Sequence, residues 1–193
     1  MIKYKNCRDD IYYLHEAKTK TGKIKYYFSK KPNGNLAESI PENYEIYENP
    51  NGLVFLRPKS KRIILEEEIR TVEDGIKKYS NLKLFKIDIK KNIIIIYEPL
   101  QNVEGLRDTL NSIAFSSPIS NTINYDYLKN IITYCPTMRF ILINEKERIF
   151  TVERMCYCSD KDDWIALCGS DSLDKLVKKY CYHLGRNSFY NLM

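Results

Sequence analysis

The amino-acid sequence predicts an α+β fold in which antiparallel β-hairpins pack with about four helices. Two observations support this class: turn residues separate pairs of short strand-like segments, and elsewhere apolar residues recur at helical spacing. The 193 residues, 44% hydrophobic and 29% charged, have the composition of a globular protein. We predict a single domain over residues 1–193, with a division into two lobes near residues 98–102 as the alternative.

The first hairpin is predicted from residues 11–20 and 23–30, because Thr21-Gly22 between them suits a two-residue turn. This loop sets Lys18 opposite Lys25 and Lys20 opposite Lys23. Side chains alternate along a strand, so one face is expected to be basic while the other is apolar and aromatic. The predicted basic face consists of Lys18, Lys20, Lys23, Lys25 and Tyr27.

Three more hairpins follow from turn residues between alternating segments. They join residues 44–48 to 53–57, 83–89 to 93–97, and 139–143 to 148–155. In the second of these, a three-residue loop with Asn92 in a left-handed conformation sets Ile89 opposite Ile93. Both faces of residues 93–97 are apolar, so we expect a central strand there. Residues 164–168 predict a short buried strand.

Helices are predicted where apolar residues recur every three or four positions. The predicted helices cover residues 64–79, 103–113, 127–135 and 173–184. The first has Glu66–Glu68 in its first turn and Lys77 and Lys78 in its last, which suits the helix dipole. Pro136 is expected to end the third helix, and residues 114–124 are expected to form a loop.

The net charge of +6 is concentrated at one end of the chain. Residues 1–35 carry nine basic and three acidic side chains, whereas the remaining residues carry 22 of each. The leading hypothesis is a non-catalytic binding or accessory protein whose basic hairpin contacts nucleic acid or another polyanion. The alternative explanation is that the lysines keep an exposed strand from pairing with other chains.

Other functional hypotheses have weaker support from the sequence than the basic hairpin has. An enzyme, a hydrolase or transferase with its site between two lobes, is an alternative function, although no catalytic residue can be assigned and no cofactor is predicted. Cysteines in the last third suggest candidate ligands for a tetrahedral zinc ion. These candidates are Cys156, Cys158, Cys168, Cys181 and His183. Buried free cysteine is the commoner explanation.

The apolar C-terminal tail, residues 186–193, is expected either to dock on the core or to contact a partner. In the second case it would serve as a protein-interaction module or a homo-oligomer interface. The sequence has no apolar stretch long enough for a transmembrane helix and no secretory signal at its N-terminus, so we expect a cytoplasmic protein without membrane contact.

Three stretches resemble sequences of uncharacterised bacterial hypothetical proteins of similar length. They are residues 18–29, 40–52 and 183–190. The resemblance extends over most of the chain and implies a bacterial, cytoplasmic protein. It implies no activity, ligand or catalytic residue.

Overall fold

The computed structural model describes residues 1–114, 124–157 and 162–192, which contain four α-helices and three antiparallel sheets. The predicted α+β class is therefore confirmed. The chain divides into two compact units, Met1–Ser60 and Lys61–Met193. Residues 98–102, where a two-lobe division was the alternative, lie inside the second unit. No helix in the described ranges is long and apolar enough to cross a membrane.

The first unit contains two small sheets. Its strands are β1 (Lys3–Lys5), β2 (Ile11–Lys18), β3 (Ile24–Ser29), β4 (Tyr44–Glu48) and β5 (Val54–Pro58). Strands β1, β2 and β3 form one sheet in that order, and β4 pairs with β5. Tyr12, Leu14, Ala37 and Val54 are buried and supply its small core.

The β4–β5 hairpin lies at the predicted position, but β5 begins at Val54 rather than at residue 53, and the predicted four-residue loop over residues 49–52 is one residue too long. Its turn is closed by the Gly52 N–H, which donates to the Asn49 carbonyl at 2.9 Å. The Asn49 side-chain oxygen accepts from the Leu53 N–H at 2.9 Å. Pro50 suits the position after Asn49 because its φ is fixed near the value that this turn requires. The loop therefore has three residues, and Gly52, with φ of +77°, closes it.

The second unit contains a five-stranded antiparallel sheet and all four helices of the described ranges. In chain order these are α1 (Glu66–Tyr79), β6 (Lys86–Lys90), β7 (Ile93–Pro99), α2 (Val103–Ala114), α3 (Tyr125–Ile131), β8 (Tyr134–Asn144), β9 (Ile149–Tyr157), β10 (Asp162–Ser172) and α4 (Leu173–Tyr180). The strand order is β10-β9-β8-β7-β6. Strand β7 has a partner on each side, as its two apolar faces predict.

Each face of this sheet contributes to a separate hydrophobic cluster. The larger cluster joins Ile94, Ile96 and Phe140 of the sheet to residues of α1 and α4. The smaller one surrounds Tyr134 and includes residues from α2 and α3. Helix α1 begins two residues after its predicted start, and there Glu68 accepts a hydrogen bond from the Leu65 N–H at 2.8 Å.

The predicted register of the β6–β7 hairpin is wrong by one residue. Ile89 lies opposite Ile94 rather than Ile93, because the loop contains only Lys91 and Asn92. Lys91, with φ of +52°, takes the left-handed conformation that was expected of Asn92. The Asn92 side chain instead donates to the Leu142 carbonyl of β8 at 2.9 Å. Asn92 therefore holds the loop against the neighbouring strand.

Two other elements differ from their predicted extent. Helix α3 ends at Ile131, and Cys135 and Pro136 lie in β8, so the predicted helix over residues 127–135 is too long. Strand β10 is an edge strand of 11 residues rather than a short buried one, and Ile165 is 37% exposed. The loop predicted over residues 114–124 lies outside the described residues except at its two ends.

The last predicted helix is divided into shorter pieces. After α4, residues Cys181–His183 and Asn187–Asn191 form two 3-10 helices. Between them Gly185 adopts φ of +71°, a left-handed conformation that glycine takes without strain. Residues 186–192 are the described part of the C-terminal tail.

Candidate functional site

The turn of the basic hairpin, β2–β3, contains three residues instead of the predicted two. The Gly22 N–H donates to the Thr19 carbonyl at 2.9 Å, and the Thr19 N–H donates to the Lys23 carbonyl at 2.8 Å. Gly22 has φ of +79°. A tight two-residue turn and this longer one both place glycine in a left-handed conformation. The Thr21-Gly22 pair alone therefore does not distinguish them.

The additional loop residue shifts the register of the hairpin. Lys18 lies opposite Ile24. The predicted pairs Lys18–Lys25 and Lys20–Lys23 are therefore wrong by one position. A shift of one residue moves one strand's side chains to the opposite face relative to its partner. The predicted single basic face is consequently divided.

The structure keeps part of the predicted basic face together. Lys23, Lys25 and Tyr27 alternate along β3 and its approach from the turn, so they point to the same side. Lys18 and Ile24 lie on the opposite side. Lys20 lies in the turn itself. The hairpin tip is thus basic on both sides, and only one side combines lysines with an exposed tyrosine.

The four lysine side chains at this tip, Lys18, Lys20, Lys23 and Lys25, are all exposed. Ion pairs of the first unit involve other cations. In the described ranges these pairs include Lys5–Asp9, Lys30–Asp10 and Arg57–Glu45. Among the described residues, the ion pairs found within 4.0 Å involve none of the four lysines at the tip.

Tyr27 is held by a buried histidine beneath it. The rings of His15 and Tyr27 stack with centroids 5.1 Å apart and planes 13° apart. His15 is only 4% exposed, and its Nε2 lies 3.0 Å from the Lys31 carbonyl oxygen. Tyr27 remains 42% exposed. His15 is thus a satisfied core histidine that fixes the orientation of an accessible aromatic ring.

The candidate metal ligands do not converge in the described part of the chain, where no group of three His, Cys, Asp or Glu side chains is arranged to hold a metal ion. Cys181 is fully buried, and burial raises the pKa of its thiol to about 12. His183 Nδ1 lies 2.9 Å from the Ser188 hydroxyl. Cys158 and the side chain of Cys168 lie outside the described part.

The C-terminal tail packs on the core of the second unit, which was the first of the two predicted arrangements. Phe189 is 6% exposed and belongs to the larger hydrophobic cluster. The Arg154 Nε–H donates to the Leu192 carbonyl at 2.8 Å. Tyr190, by contrast, is 73% exposed. A partner interface at the tail stays a prediction.

The structure also reveals a cavity that the sequence did not predict. It has a volume of about 460 Å³ and lies between the end of the five-stranded sheet and the C-terminal tail. Glu98 of β7 and Cys135 of β8, which are paired across the two strands, contribute to one side. Arg154 and Cys156 of β9 extend that side, and Phe189 of the tail lines the other.

Glu98 is the unusual group in this cavity. Its Oε1 atom is buried and has no hydrogen-bond partner in the described structure. Burial raises the pKa of the Glu98 carboxyl to about 7, while a hydrogen bond from the Gly185 backbone N–H opposes this effect. The carboxyl therefore changes protonation near neutral pH, a property common in functional sites.

One signal in the sequence points to Glu98. Ile94 and Ile96 face the core, and strand alternation places Glu98 on the same face two residues later. A carboxyl that continues a buried apolar face requires either a partner or a cavity. The cavity itself depends on the distant tail, which this local pattern does not reveal.

The structure thus defines an α+β protein with a basic aromatic hairpin in one unit and a carboxyl-containing cavity in the other. No protein-family model, curated protein or solved structure matches the chain.

Proposed function

We propose that the protein binds single-stranded nucleic acid through the β2–β3 hairpin. In this proposal, Lys23 and Lys25 contact phosphates while Tyr27 stacks on a base. Lys18 and Lys20 add positive charge at the tip. The observation that carries the proposal is an exposed tyrosine, oriented by His15, on the same side as two exposed lysines.

The charge distribution supports a polyanionic partner for the first unit. Residues 1–60 contain eleven basic and seven acidic side chains, a net charge of +4, and residues 61–193 contain 20 and 18, a net charge of +2. The first unit therefore has twice the excess charge in fewer than half the residues. Exposed lysines without nearby carboxylates release counterions when they neutralise phosphates, which favours binding at low salt.

The exposed tyrosine favours a single strand over a duplex. In a duplex the faces of the bases are stacked on each other, and in a single strand they are accessible. Stacking of one base on an aromatic side chain contributes about 1–3 kcal/mol in proteins that bind single strands. His15 keeps Tyr27 in one orientation, so little side-chain freedom is lost when a base stacks on it.

Fluorescence anisotropy with a labelled oligothymidylate over a range of salt concentrations tests the proposal. If each of the four lysines at the tip neutralises one phosphate, log K falls with log[salt] with a slope of about −3, because each neutralised phosphate of a single strand contributes roughly −0.7. The double variant Lys23→Glu/Lys25→Glu is expected to make the slope shallower by about 1.4. Tyr27→Leu is expected to weaken binding about tenfold, a loss of roughly 1.4 kcal/mol, without changing the slope.

Matched controls separate specific contacts from general charge effects. Lys146→Glu/Lys178→Glu changes the net charge equally but alters exposed lysines of the second unit. Tyr44→Leu removes another exposed tyrosine from the first unit. Equal losses in test and control variants, or no binding at low salt, would contradict the proposal. The lysines would then be interpreted as protection of β3, an edge strand of its sheet.

A bacterial origin and a cytoplasmic location stay predictions of the sequence. The same is true of the tail as an interaction module. That prediction is tested by deleting residues 188–193 and measuring whether self-association or partner binding is lost.

A further inference from the structure

We propose that the cavity beside Glu98 is a binding site for a small organic cation whose N–H group donates to the Glu98 carboxyl. The expected ligands are amines, amidines or guanidines with an apolar body. This site lies in the second unit and is independent of the nucleic-acid interface proposed for the first.

The size and lining of the cavity suit such a ligand. Its volume of about 460 Å³ lies within the range of about 300–1,000 Å³ typical of small-molecule sites. Pro99, Met155 and Phe189 provide apolar surface around the Glu98 carboxyl. Small-molecule sites commonly combine an apolar lining with a few polar groups that orient the ligand.

The unpaired Oε1 atom identifies where the ligand would be held. Nearly all buried polar atoms in proteins have a hydrogen-bond partner. The Gly185 N–H provides one hydrogen bond to the Glu98 carboxyl, yet Oε1 has none in the described structure. Leaving a buried acceptor unpaired is unfavourable, and more so when it is charged. A ligand N–H in the cavity would supply the missing partner once the carboxyl turns Oε1 towards it.

Two arginines also line the cavity, and the described hydrogen bonds of both go to neutral oxygens rather than to Glu98. Arg186 donates to the Tyr79 carbonyl at 2.9 Å and to the Asn81 side-chain oxygen at 2.8 Å, and it also bonds the Tyr182 carbonyl. Arg154 donates to the tail. The other titratable lining groups are Cys135 on β8, Cys156 and Tyr157 on β9, and Tyr190 in the tail.

Neither arginine compensates the charge of Glu98. Burial is the main cause of its raised pKa, and the opposing cause is a backbone N–H rather than a cation. An ionised Glu98 is therefore a buried charge that lacks a counter-charge, and buried charges are normally paired. A cationic ligand supplies both the missing charge and the missing hydrogen bond.

Isothermal titration calorimetry of the full chain with benzamidine tests this inference, because benzamidine combines a planar cation, N–H donors and an apolar ring. A pKa of about 7 for Glu98 predicts binding about 30-fold weaker at pH 5.5 than at pH 8.5, since the carboxyl must lose its proton. At pH 7, titrations in buffers of different ionisation enthalpy should show release of about half a proton per ligand.

Two variants and one comparison ligand complete the test. Glu98→Gln is expected to weaken benzamidine binding at pH 8.5 at least tenfold and to abolish its pH dependence. Glu67→Gln, at an exposed position of α1, is expected to change neither. Benzoate, an anion of similar shape, should bind more weakly than benzamidine. An amide NMR spectrum of Glu98→Gln that matches the wild type outside the cavity would show that the fold is retained.

Three results would overturn the inference. The first is no benzamidine binding at millimolar concentration at pH 8.5. The second is equal affinity of the wild type and Glu98→Gln. The third is benzoate binding as tight as benzamidine binding, which would assign the cavity to its arginines rather than to Glu98.

Discussion

Replacing Glu98 with glutamine is expected to remove a pH-dependent loss of stability from the second unit. Glutamine keeps the shape of the side chain but has no titratable group. The pKa of the Glu98 carboxyl rises from 4.5 to about 7 because the folded chain buries it. The unfolded chain, with the carboxyl in water, deprotonates near the ordinary value.

The direction of the effect follows from proton binding in the two states. Between pH 4.5 and about 7, the folded state keeps the Glu98 proton while the unfolded state loses it. The stabilisation is therefore complete below pH 4.5, declines as the pH rises towards 7, and is absent above it. A shift of about 2.5 pKa units corresponds to about 3 kcal/mol in the free energy of unfolding.

Urea unfolding followed by tryptophan fluorescence measures this quantity. Trp164 is the single tryptophan of the chain and lies in β10, so its emission reports on the second unit. From pH 4.5 to pH 8.5, the stability of Glu98→Gln relative to the wild type should increase by about 3 kcal/mol. A difference between the two proteins that stays constant over this pH range would refute the assignment of the raised pKa to Glu98.

Three further substitutions test the packing and polar contacts of the two units. Arg148→Ala should lower the free energy of unfolding by about 3 kcal/mol in urea titrations, because it leaves the buried Glu68 carboxylate without its partner at 2.5 Å; an effect below 1 kcal/mol would contradict this. Gly75→Ala should lower the free energy of unfolding by about 1–3 kcal/mol, because the added Cβ would overlap Val177 Cγ1. Val177→Ala removes that overlap, so it should destabilise the Gly75→Ala variant less than it destabilises the wild type. Asn6→Ala should lower the free energy of unfolding of the first unit by at least about 2 kcal/mol, because three hydrogen bonds, at 2.6, 2.8 and 3.0 Å, depend on that buried side chain. Amide hydrogen exchange in the first unit measures this change. Unchanged exchange there would show that water replaces the three hydrogen bonds.

The sequence correctly predicts where the hairpins lie, but it does not determine two of their registers. In the first hairpin the same Gly22 suits a two-residue and a three-residue loop. In the third, Lys91 takes the left-handed conformation although Asn92 is the more usual choice. Asn92 is instead bonded to β8. A contact 50 residues away in sequence thus decides a local turn, and local propensity cannot show it.

The extent of the α3 helix illustrates a similar limit. Apolar residues at helical spacing continue from Tyr127 to Cys135, yet the chain changes to a strand after Ile131. The side chain of Tyr134 is buried in the smaller cluster as part of β8. Pairing with β7 outweighs the periodic pattern, because an unpaired central strand would leave buried backbone groups without partners.

The two candidate sites differ in how far the sequence reveals them. The exposed lysines and Tyr27 were identified from charge and alternation, although their division between two faces was not. The Glu98 cavity forms only when the C-terminal tail packs against the end of the sheet. Nothing local to Glu98 indicates that Phe189 will lie across the cavity from it, since the two residues are on different elements.

The most direct test of the proposed nucleic-acid interface is a ¹H–¹⁵N NMR titration of the full chain with an unlabelled oligothymidylate at low salt. We expect the largest chemical-shift changes at residues 18–27, including the amide of Tyr27, and their reversal as salt is added. The largest changes at any other part of the chain, or no change at low salt, would contradict the proposal that this hairpin binds single-stranded nucleic acid.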